Sequence, residues 1–405
     1  MLRRSHKKSY GGCFQCKKRH VKCDQHRPIC LLCTMSGRDR ECSYASQGRV
    51  ASRTGGRGEG ASAPVAASSS SSHSASPFPS LPPPQTVTLQ PEEPINLQHI
   101  ELITHLITDS TLIGLGDGLE PYHVSISRAL ETGLSAPYLL YALLAFSARR
   151  LQYLHRGSKS GREGVYAQQA TALQTRAIAL FNSERVAVDS GNCVAVCLFS
   201  VVLGHHLLTD TLGQRGRAQD GLDAFLKRYS LCLETLRGVF TIAMTGWPLL
   251  LESYLAPALS RSRQFTSSDP KGTECNLLKA LITGSDGLHH DAREACLRAI
   301  KYLQLGFDAL SNPLDGNMRY QMLFLWSVLV PPEFTRILAA KRPEALVILA
   351  YYALLLCYGQ HIWQVEEAGV YIFGIVDGYL GSEWDEWLEF ARRAIYKLQP
   401  EHSFQ

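Results

Sequence analysis

The chain has neither a long apolar run nor an apolar leader, the features that mark membrane and secreted proteins. Its apolar run at 345–357 has 13 residues, fewer than the roughly 20 that a helix needs to span a bilayer. The first residues are charged and no apolar core segment follows them, so we expect no signal peptide. These absences predict a reducing cytosolic or nuclear compartment and no membrane span.

Catalytic motifs are lacking as well. The pairs His205-His206 and His289-His290 do not have the i, i+4 spacing and the glutamate of a helical zinc protease. The glycine-rich segment 114–118 follows no strand-like segment and precedes no Lys-Ser or Lys-Thr, so we interpret it as a turn between helices. We therefore expect that the chain is not an enzyme.

Alternating β-type patterns are scarce after residue 94, whereas helical spacing persists to the C-terminus. Apolar residues step by four and three along one helical face in two segments: Tyr166, Ala170, Leu173, Ala177 and Leu180, and then Trp384, Leu388, Ala391, Ile395 and Leu398. Ser382 with Asp385 predicts a capping box before the second segment, and 137–154, apolar nearly all round, predicts a buried helix. Residues 94–405 are thus predicted to form a large all-α domain of roughly ten to thirteen helices.

A change of composition separates this domain from the N-terminus. Residues 46–93 are dominated by Gly, Ser, Ala and Pro, including the runs Ser68–Ser72 and Pro82–Pro84. Such a segment buries too little apolar area to offset the loss of chain entropy, which predicts a disordered linker. The predicted organisation is a module at 1–45, a linker at 46–93 and a helical domain at 94–405.

Positive charge is concentrated at the N-terminus. Residues 1–57 hold 14 of the 41 Lys and Arg residues of the chain but three of its 36 Asp and Glu residues. The remainder of the chain is net acidic, so the formal charge of +5 conceals a short, strongly basic head. This asymmetry indicates a polyanionic partner for the N-terminal module.

Six of the 12 cysteines lie in the first 42 residues, with the spacing C-x2-C-x6-C-x6-C-x2-C-x8-C: Cys13, Cys16, Cys23, Cys30, Cys33 and Cys42. A disulfide framework would suit a secreted protein, a redox C-x-x-C needs a βαβ context, and an iron–sulfur cluster needs four thiolates of its own. Zinc fits best, because two ions formally need eight ligands and six thiolates suffice if two of them bridge. We expect the other six to be free, buried small hydrophobes: Cys193, Cys197, Cys232, Cys275, Cys296 and Cys357.

The cysteine spacing resembles that of the fungal Zn2Cys6 (binuclear zinc cluster) transcription factors. The likeness extends to Pro28, two residues before the fourth cysteine, and to Lys22-Cys23-Asp24. It implies a small module of two short helices and loops that holds two structural zinc ions per chain. The implied ligand sets are Cys13, Cys16, Cys23 and Cys30 for one ion, and Cys13, Cys30, Cys33 and Cys42 for the other.

The same resemblance implies double-stranded DNA as a partner, read in the major groove by the helix that follows Cys16. The candidate DNA-binding residues are Lys17, Lys18, Arg19, His20 and Lys22. Family members most often have Lys or Arg where this chain has His20, and they commonly contact a CGG-type triplet. Because His20 has fewer donors and an ordinary pKa near 6.5, we expect a short GC-containing site without a fixed CGG preference.

The segment Asn96-Leu97-x-His99-x-Glu101-Leu102 resembles the start of the regulatory domain in factors related to fungal sterol-uptake regulators. This implies a ligand-responsive effector domain with an apolar pocket for a sterol or other hydrophobic small molecule, and contacts with transcription coactivators. Residues 46–90 contain no heptads, so the coiled coil with which many relatives dimerise is missing. Either the chain binds as a monomer or the helical domain supplies a homodimer contact.

These observations favour a zinc-dependent, sequence-specific regulator of RNA polymerase II transcription in a fungal nucleus, controlling sterol, lipid or secondary metabolism. The alternative is a helical metabolite-binding or enzymatic domain that the zinc module only localises to chromatin.

Overall fold

The computed structural model describes residues 11–19, 23–25, 27, 29–30, 33, 42–44, 95–109, 125–184, 187–213, 221–311 and 319–399. It divides into two units, residues 1–88 and 89–405. No strand occurs in the described ranges, and the molecule is a small cysteine module followed by a large all-α unit. The predicted linker, the second short helix of the module and the turn at 114–118 fall outside those ranges, and the predicted domain boundaries stay predictions.

The N-terminal unit contributes α1 (Phe14–Lys18). The described part of the second unit has fifteen α-helices, and their bounds are α2 Leu97–Thr108, α3 Ile126–Ser135, α4 Pro137–Leu154, α5 Arg162–Ser183, α6 Cys193–Leu212, α7 Leu222–Thr245, α8 Trp247–Leu250, α9 Ala256–Ser267, α10 Asn276–Gly284, α11 His290–Ser311, α12 Gln321–Leu329, α13 Pro332–Ala339, α14 Pro343–Tyr358, α15 Ala368–Leu380 and α16 Asp385–Leu398. A 3₁₀ turn, Ser382–Trp384, precedes α16.

The helical periodicity of the sequence is confirmed where it was strongest. The predicted buried helix coincides with α4, and ten of its 18 residues are buried. The face predicted for 166–180 lies on α5, although Phe181 rather than Leu180 completes its buried side. The predicted ten to thirteen helices are fewer than the fifteen found in the described part of the unit. The number is higher because proline divides helical stretches into short pieces. Helices α12 and α13, for example, meet at 88° around Pro331.

The predicted capping box at Ser382 is wrong. Ser382 opens the 3₁₀ turn, and neither that turn nor α16 has a side-chain cap. The backbone instead changes conformation at Gly381, the C-cap of α15, whose φ of 69° lies in the left-handed region that favours glycine. A serine three residues before an acid therefore matched the sequence pattern without the backbone that a capping box requires.

The helical unit has two hydrophobic cores. The first is formed mainly by α2 to α6, and the second extends from the end of α6 and α7 through α16. Helix α14 is the centre of the second core, since 14 of its 16 residues are buried. All six of the scattered cysteines are free and buried in these cores, as predicted.

One helix of the described ranges, α6, is long and apolar enough by length and composition to cross a bilayer. Its most apolar window is 61% buried within the unit, and core helices of other folds meet the same criteria. Helix α6 therefore does not show a membrane span.

Candidate metal centre and nucleic-acid interface

Helix α1 places the first two cysteines of the module. Cys13 is the N-cap of α1, and its Sγ accepts a hydrogen bond from the Cys16 N–H at 3.4 Å. The Phe14 N–H donates to the Ser43 carbonyl at 2.7 Å, which ties the start of α1 to the end of the module. Both thiols are thus presented on the buried side of a single helical turn.

The structure brings the six cysteines together in two groups. One contains Cys13, Cys16, Cys23 and Cys30, and the other contains Cys13, Cys30, Cys33 and Cys42, with all ligand atoms of a group within 4.8 Å of one another. Cys13 and Cys30 belong to both groups. The membership is the same as that of the two ligand sets implied by the resemblance.

The sulfur separations fit zinc. The Sγ atoms of Cys13 and Cys30 are 3.6 Å apart, those of Cys16 and Cys30 3.6 Å, and those of Cys30 and Cys42 3.8 Å. Four thiolates around a tetrahedral zinc, with Zn–S bonds of about 2.3 Å, lie about 3.8 Å from one another. No disulfide forms, and five of the six cysteines are buried.

Backbone amides point at the sulfurs from outside the two groups. The N–H groups of Cys13 and Gln25 donate to Cys23 Sγ at 3.4 and 3.3 Å, and the Cys30 N–H donates to Cys42 Sγ at 3.4 Å. Such bonds orient ligands and offset the negative charge of thiolates. The donor set is therefore that of a closed structural metal site, with no position left for a substrate.

Residues 11–49 match the fungal Zn(2)-Cys(6) binuclear cluster domain. The N-terminal module belongs to this family. A domain of this kind binds two zinc ions, and the two cysteine groups fit that number. A segment of 42 residues is also 52% identical to Sterol uptake control protein 2 of Candida albicans (strain SC5314 / ATCC MYA-2876).

That likeness covers 10% of this chain and 6% of the Candida protein. It is therefore a likeness of the zinc cluster module and not of the helical unit.

The two shared thiols of the zinc cluster module differ electrostatically from their neighbours. Burial acts to raise the pKa of Cys13, but hydrogen bonds from Cys16, Cys30 and Cys33 outweigh it, and the pKa is lowered. The pKa of Cys30 is lowered against burial in the same way, chiefly by the Cys33 N–H. Burial and the neighbouring thiols instead raise the pKa of Cys33 to about 12. The two sulfurs common to both groups thus become thiolates more readily than that of Cys33.

Tyr44 is a residue of the module that sequence reasoning missed. Its hydroxyl lies 3.7 Å from Cys23 Sγ, and the Arg27 guanidinium lies 4.8 Å from the centre of its ring. Burial and the adjacent sulfur raise the pKa of Tyr44, so the hydroxyl keeps its proton and can donate to a thiolate. No spacing rule links positions 27 and 44 to a cysteine, so only the fold reveals this contact.

Three of the candidate DNA-binding residues lie at the C-terminal end of α1. Lys17 and Lys18 form its last turn, Arg19 is its C-cap, and all three are exposed. His20 and Lys22 are beyond the described part of the module. These three exposed cations therefore lie at the end of α1 opposite the Cys13 cap. The helix dipole contributes no positive charge at that end.

The helical unit contains a Ser–His–Asp arrangement that sequence reasoning also missed. His105 Nδ1 lies 2.9 Å from Ser147 Oγ, and His105 Nε2 lies 3.4 Å from Asp109 Oδ2. Ser147 is fully buried and donates its hydroxyl proton to the Leu102 carbonyl at 2.9 Å. A nucleophile needs an accessible oxygen and a base that takes its proton, so this arrangement fastens α2 to α4 instead.

Of the paired histidines of α6, His206 is buried and His205 is half-buried. His205 Nδ1 lies 3.1 Å from Gln364 Nε2, and His206 Nε2 lies 3.7 Å from Asp210 Oδ2. Burial lowers the pKa of His205 to about 4 and, helped by Arg149, that of His206 to about 3. Both rings are thus neutral at physiological pH. His289 and His290, by contrast, are exposed.

Two surface cavities of the described part of the helical unit bear on the predicted hydrophobic ligand. The larger, of about 470 Å³, is lined by three charged residues of α7 together with Leu226, Ser230, Leu231 and Ala339. The smaller, of about 120 Å³, lies beside Glu274 and Arg319. Neither is the enclosed apolar pocket that a sterol would need, so the hydrophobic ligand stays a prediction.

Proposed function

We propose that the chain is a sequence-specific DNA-binding regulator of RNA polymerase II transcription that acts in the nucleus of a fungus. The observation that carries this proposal is the closed double cysteine cluster with exposed Lys17, Lys18 and Arg19 beside it. A structural metal site fixes the fold of a small module, and the basic residues at its helix end can then bind a polyanion such as DNA. The name of the Candida relative, which describes control of sterol uptake, supports a regulatory role.

The six cysteines hold the metal in this account. Cys16 and Cys23 serve the first ion, Cys33 and Cys42 the second, and Cys13 and Cys30 serve both. The bound zinc supplies no reaction chemistry and closes the module, which is too small to build a hydrophobic core. The polypeptide itself fixes the position of α1 through two hydrogen bonds. One is from the Cys16 N–H to the Cys13 Sγ, and the other is from the Phe14 N–H to the Ser43 carbonyl.

DNA recognition follows from the direction of α1. With the C-terminal end of α1 in the major groove, Lys17 and Lys18 contact phosphates by default, while Arg19 and His20 reach base edges. Lys22 adds a further phosphate contact. One module reads about three base pairs, which gives little selectivity at physiological salt. The binding site is therefore short and GC-containing, and full affinity requires a second module or a cooperating protein.

The helical unit supplies regulation in this proposal. It responds to a hydrophobic metabolite, recruits coactivators, forms a homodimer and controls genes of sterol, lipid or secondary metabolism. The alternative is that it binds or converts a metabolite and uses the zinc cluster module only for localisation to chromatin. Turnover of a metabolite by the full chain would favour that alternative.

In vitro selection from a random duplex pool tests the proposal. The full chain with zinc is expected to enrich a short GC-containing motif. The variant Cys13→Ala, which loses a ligand common to both ions, should enrich nothing, whereas Cys357→Ala, a buried thiol of the helical unit, should enrich the same motif. Enrichment of the same motif by Cys13→Ala would show that the cysteine cluster is not the reader.

A further inference from the structure

The surface between α7 and α13 holds a groove that combines a buried hydroxyl with charged and apolar side chains. It is the larger of the two cavities described above, and its volume of about 470 Å³ is within the roughly 300–1,000 Å³ of small-molecule sites. Ala339, at the end of α13, forms one side, and the other six lining residues, all on α7, are Asp223, Leu226, Lys227, Ser230, Leu231 and Glu234. Their spacing of three, one, three, one and three places all six on one face of α7, and we call this surface the α7 groove.

Contacts at both ends hold the two helices beside the α7 groove. The Arg237 guanidinium donates to Thr335 Oγ1 at 2.8 Å, and Lys341 Nζ lies 2.7 Å from Asp223 Oδ1. The apolar faces of both helices are buried in the second core. The groove is therefore formed by the fold of the unit itself, as most ligand sites are.

Ser230 is the residue that points to a ligand. It is only 8% exposed, and its Oγ has no hydrogen-bond partner within the part of the chain that the structure describes. Hydroxyls inside helices commonly donate to the carbonyl four residues earlier, as those of Thr235 and Thr241 do on the same helix at 2.8 Å. A buried hydroxyl without a partner destabilises a fold, so Ser230 is explained by a polar group that enters the groove.

The charges around the α7 groove favour an anion. Asp223 has a cation of its own in Lys341, and Glu234 lies three residues before Arg237 on one helix face. Lys227, the remaining charged residue of the lining, forms no ion pair with the described residues. Two acids thus face three cations, which leaves a net positive charge at the groove.

Lys227 and Ser230 present their donors side by side. They are three residues apart, so their side chains are neighbours on the helix surface. An ammonium and a hydroxyl at this spacing match the two oxygens of one carboxylate, and hydrogen bonds to a charged group are stronger than those between neutral groups. A bound carboxylate would therefore supply the acceptor that Ser230 lacks.

The apolar part of the lining lies next to these donors. Leu226 is buried, whereas Leu231 is 65% exposed and Ala339 is exposed as well. A short apolar chain attached to the carboxylate would cover Leu231 and Ala339 and remove their apolar surface from water. Three apolar residues are too few to enclose a polycyclic ligand.

We propose that the α7 groove binds a small organic carboxylate. Its carboxylate accepts hydrogen bonds from Lys227 Nζ and Ser230 Oγ, and its short apolar chain packs on Leu231 and Ala339. Such a ligand differs in class from the predicted sterol, which has no charge for Lys227 to bind. Binding depends on the helical unit alone, whereas its use in controlling transcription rests on the proposed function.

A ligand-detected NMR titration of the full chain tests the site with two probes, hexanoate and hexanamide, which share a shape and differ in charge. The wild type is expected to bind hexanoate about tenfold more tightly than hexanamide. Lys227→Gln should abolish this preference, and Ser230→Ala should weaken hexanoate binding by about tenfold. The matched controls are Lys159→Gln, an exposed lysine elsewhere, and Thr235→Ala, a hydroxyl of α7 outside the groove, and both should bind like the wild type.

The melting temperature of Ser230→Ala provides an independent check, since a hydroxyl without a partner can be removed without loss of stability. We expect that temperature to be unchanged or higher, and a clear decrease would show that Ser230 is bonded within its own chain and would contradict the proposal. Equal affinity of the wild type for both probes, or no saturable binding of hexanoate, would overturn it. So would wild-type affinity for hexanoate in both Lys227→Gln and Ser230→Ala. Because no DNA is present, these results are separate from the proposed function, which the absence of site-specific DNA binding would contradict.

Discussion

At the scale of single residues, Cys13 and Cys30 differ from the other four ligands because they belong to both cysteine groups. Replacing either one removes a thiolate from both metal sites, whereas Cys42 serves only one. We expect native mass spectrometry to find two zinc ions in the wild type, none in Cys30→Ser and one in Cys42→Ser. Cys357→Ser, in the helical unit, should keep both ions. Equal zinc loss in Cys30→Ser and Cys42→Ser would contradict the shared role.

Lys18 tests the nature of the contact with DNA. If its ammonium neutralises one phosphate, Lys18→Ala should weaken binding to specific and random duplexes alike. The slope of log affinity against log salt concentration should then fall in magnitude by about 1. Lys159→Ala, an exposed lysine of the helical unit, is the matched control and should leave the slope unchanged. A loss confined to the specific duplex would place Lys18 on a base edge instead.

At the level of residues, the sequence was informative where chemistry is encoded by spacing. Six thiols at fixed intervals indicated zinc, and the resemblance to the Zn2Cys6 family implied the two ligand sets, whose membership is that of the two cysteine groups. Tyr44 and Arg27 carry no such signal, since their contact is made by the path of the chain between them. The same holds for Ser147 and His105, which are 42 positions apart and meet only because α2 packs on α4.

At the scale of elements, the pairing of α14 with α15 depends on Gly369. A Cβ at this position would lie 2.5 Å from both the Ala353 carbonyl oxygen and the Cys357 Sγ. Gly369→Ala should therefore lower the free energy of unfolding by about 1–3 kcal/mol, as overpacking does. Gly374→Ala, on the same helix with open space around it, should be neutral or stabilise by up to about 1 kcal/mol. Chemical denaturation of the two variants measures the difference, and equal stabilities would refute the close approach.

Helix α6 makes the helical unit sensitive to acid through His206. Burial holds the pKa of His206 at about 3 in the folded state, against 6.5 for an ordinary histidine. The unfolded chain therefore takes up the proton at a higher pH than the folded chain does. The contribution of His206 to the stability of the folded state is complete above pH 6.5 and is lost as pH falls. Between pH 7 and pH 5 the loss amounts to about 2 kcal/mol.

The carboxyl of Asp210, which lies beside His206, opposes this loss of stability in acid. Burial raises the pKa of Asp210 to about 6, so this group favours the folded state more as pH falls below 6. We expect His206→Phe to flatten the dependence of melting temperature on pH between 7 and 5. His290→Phe, at an exposed position, should leave that dependence as in the wild type. An unchanged pH dependence in His206→Phe would show that His206 is not the acid-sensitive group.

Elements were predictable from sequence where apolar periodicity was long, as in α5 and α16, because burial on one face requires that pattern. The number of helices was not, since short pieces such as α8, with four residues, leave no periodicity to detect. The predicted capping box at Ser382 was wrong for a different reason. The backbone conformation of Gly381 determines how the chain enters the turn before α16.

At the scale of the whole molecule, the chain joins a module held by metal to a unit held by apolar cores. Among the described residues of the first unit, the cysteines have few apolar neighbours other than one another, whereas the second unit has two extensive cores. Sequence composition already predicted this division, because the head and the helical remainder differ in net charge and in cysteine density. The stability of each unit should therefore respond to different changes in the solution.

The most direct test of the account is to remove and restore zinc while measuring binding of the full chain to its selected duplex. Fluorescence anisotropy should show that a chelator abolishes site-specific binding and that added zinc restores it, since metal binding and folding of the module are coupled. The helical melting transition, followed by circular dichroism in the same samples, should not change. Site-specific binding that survives full removal of zinc would contradict the claim that the six-cysteine cluster builds the DNA reader.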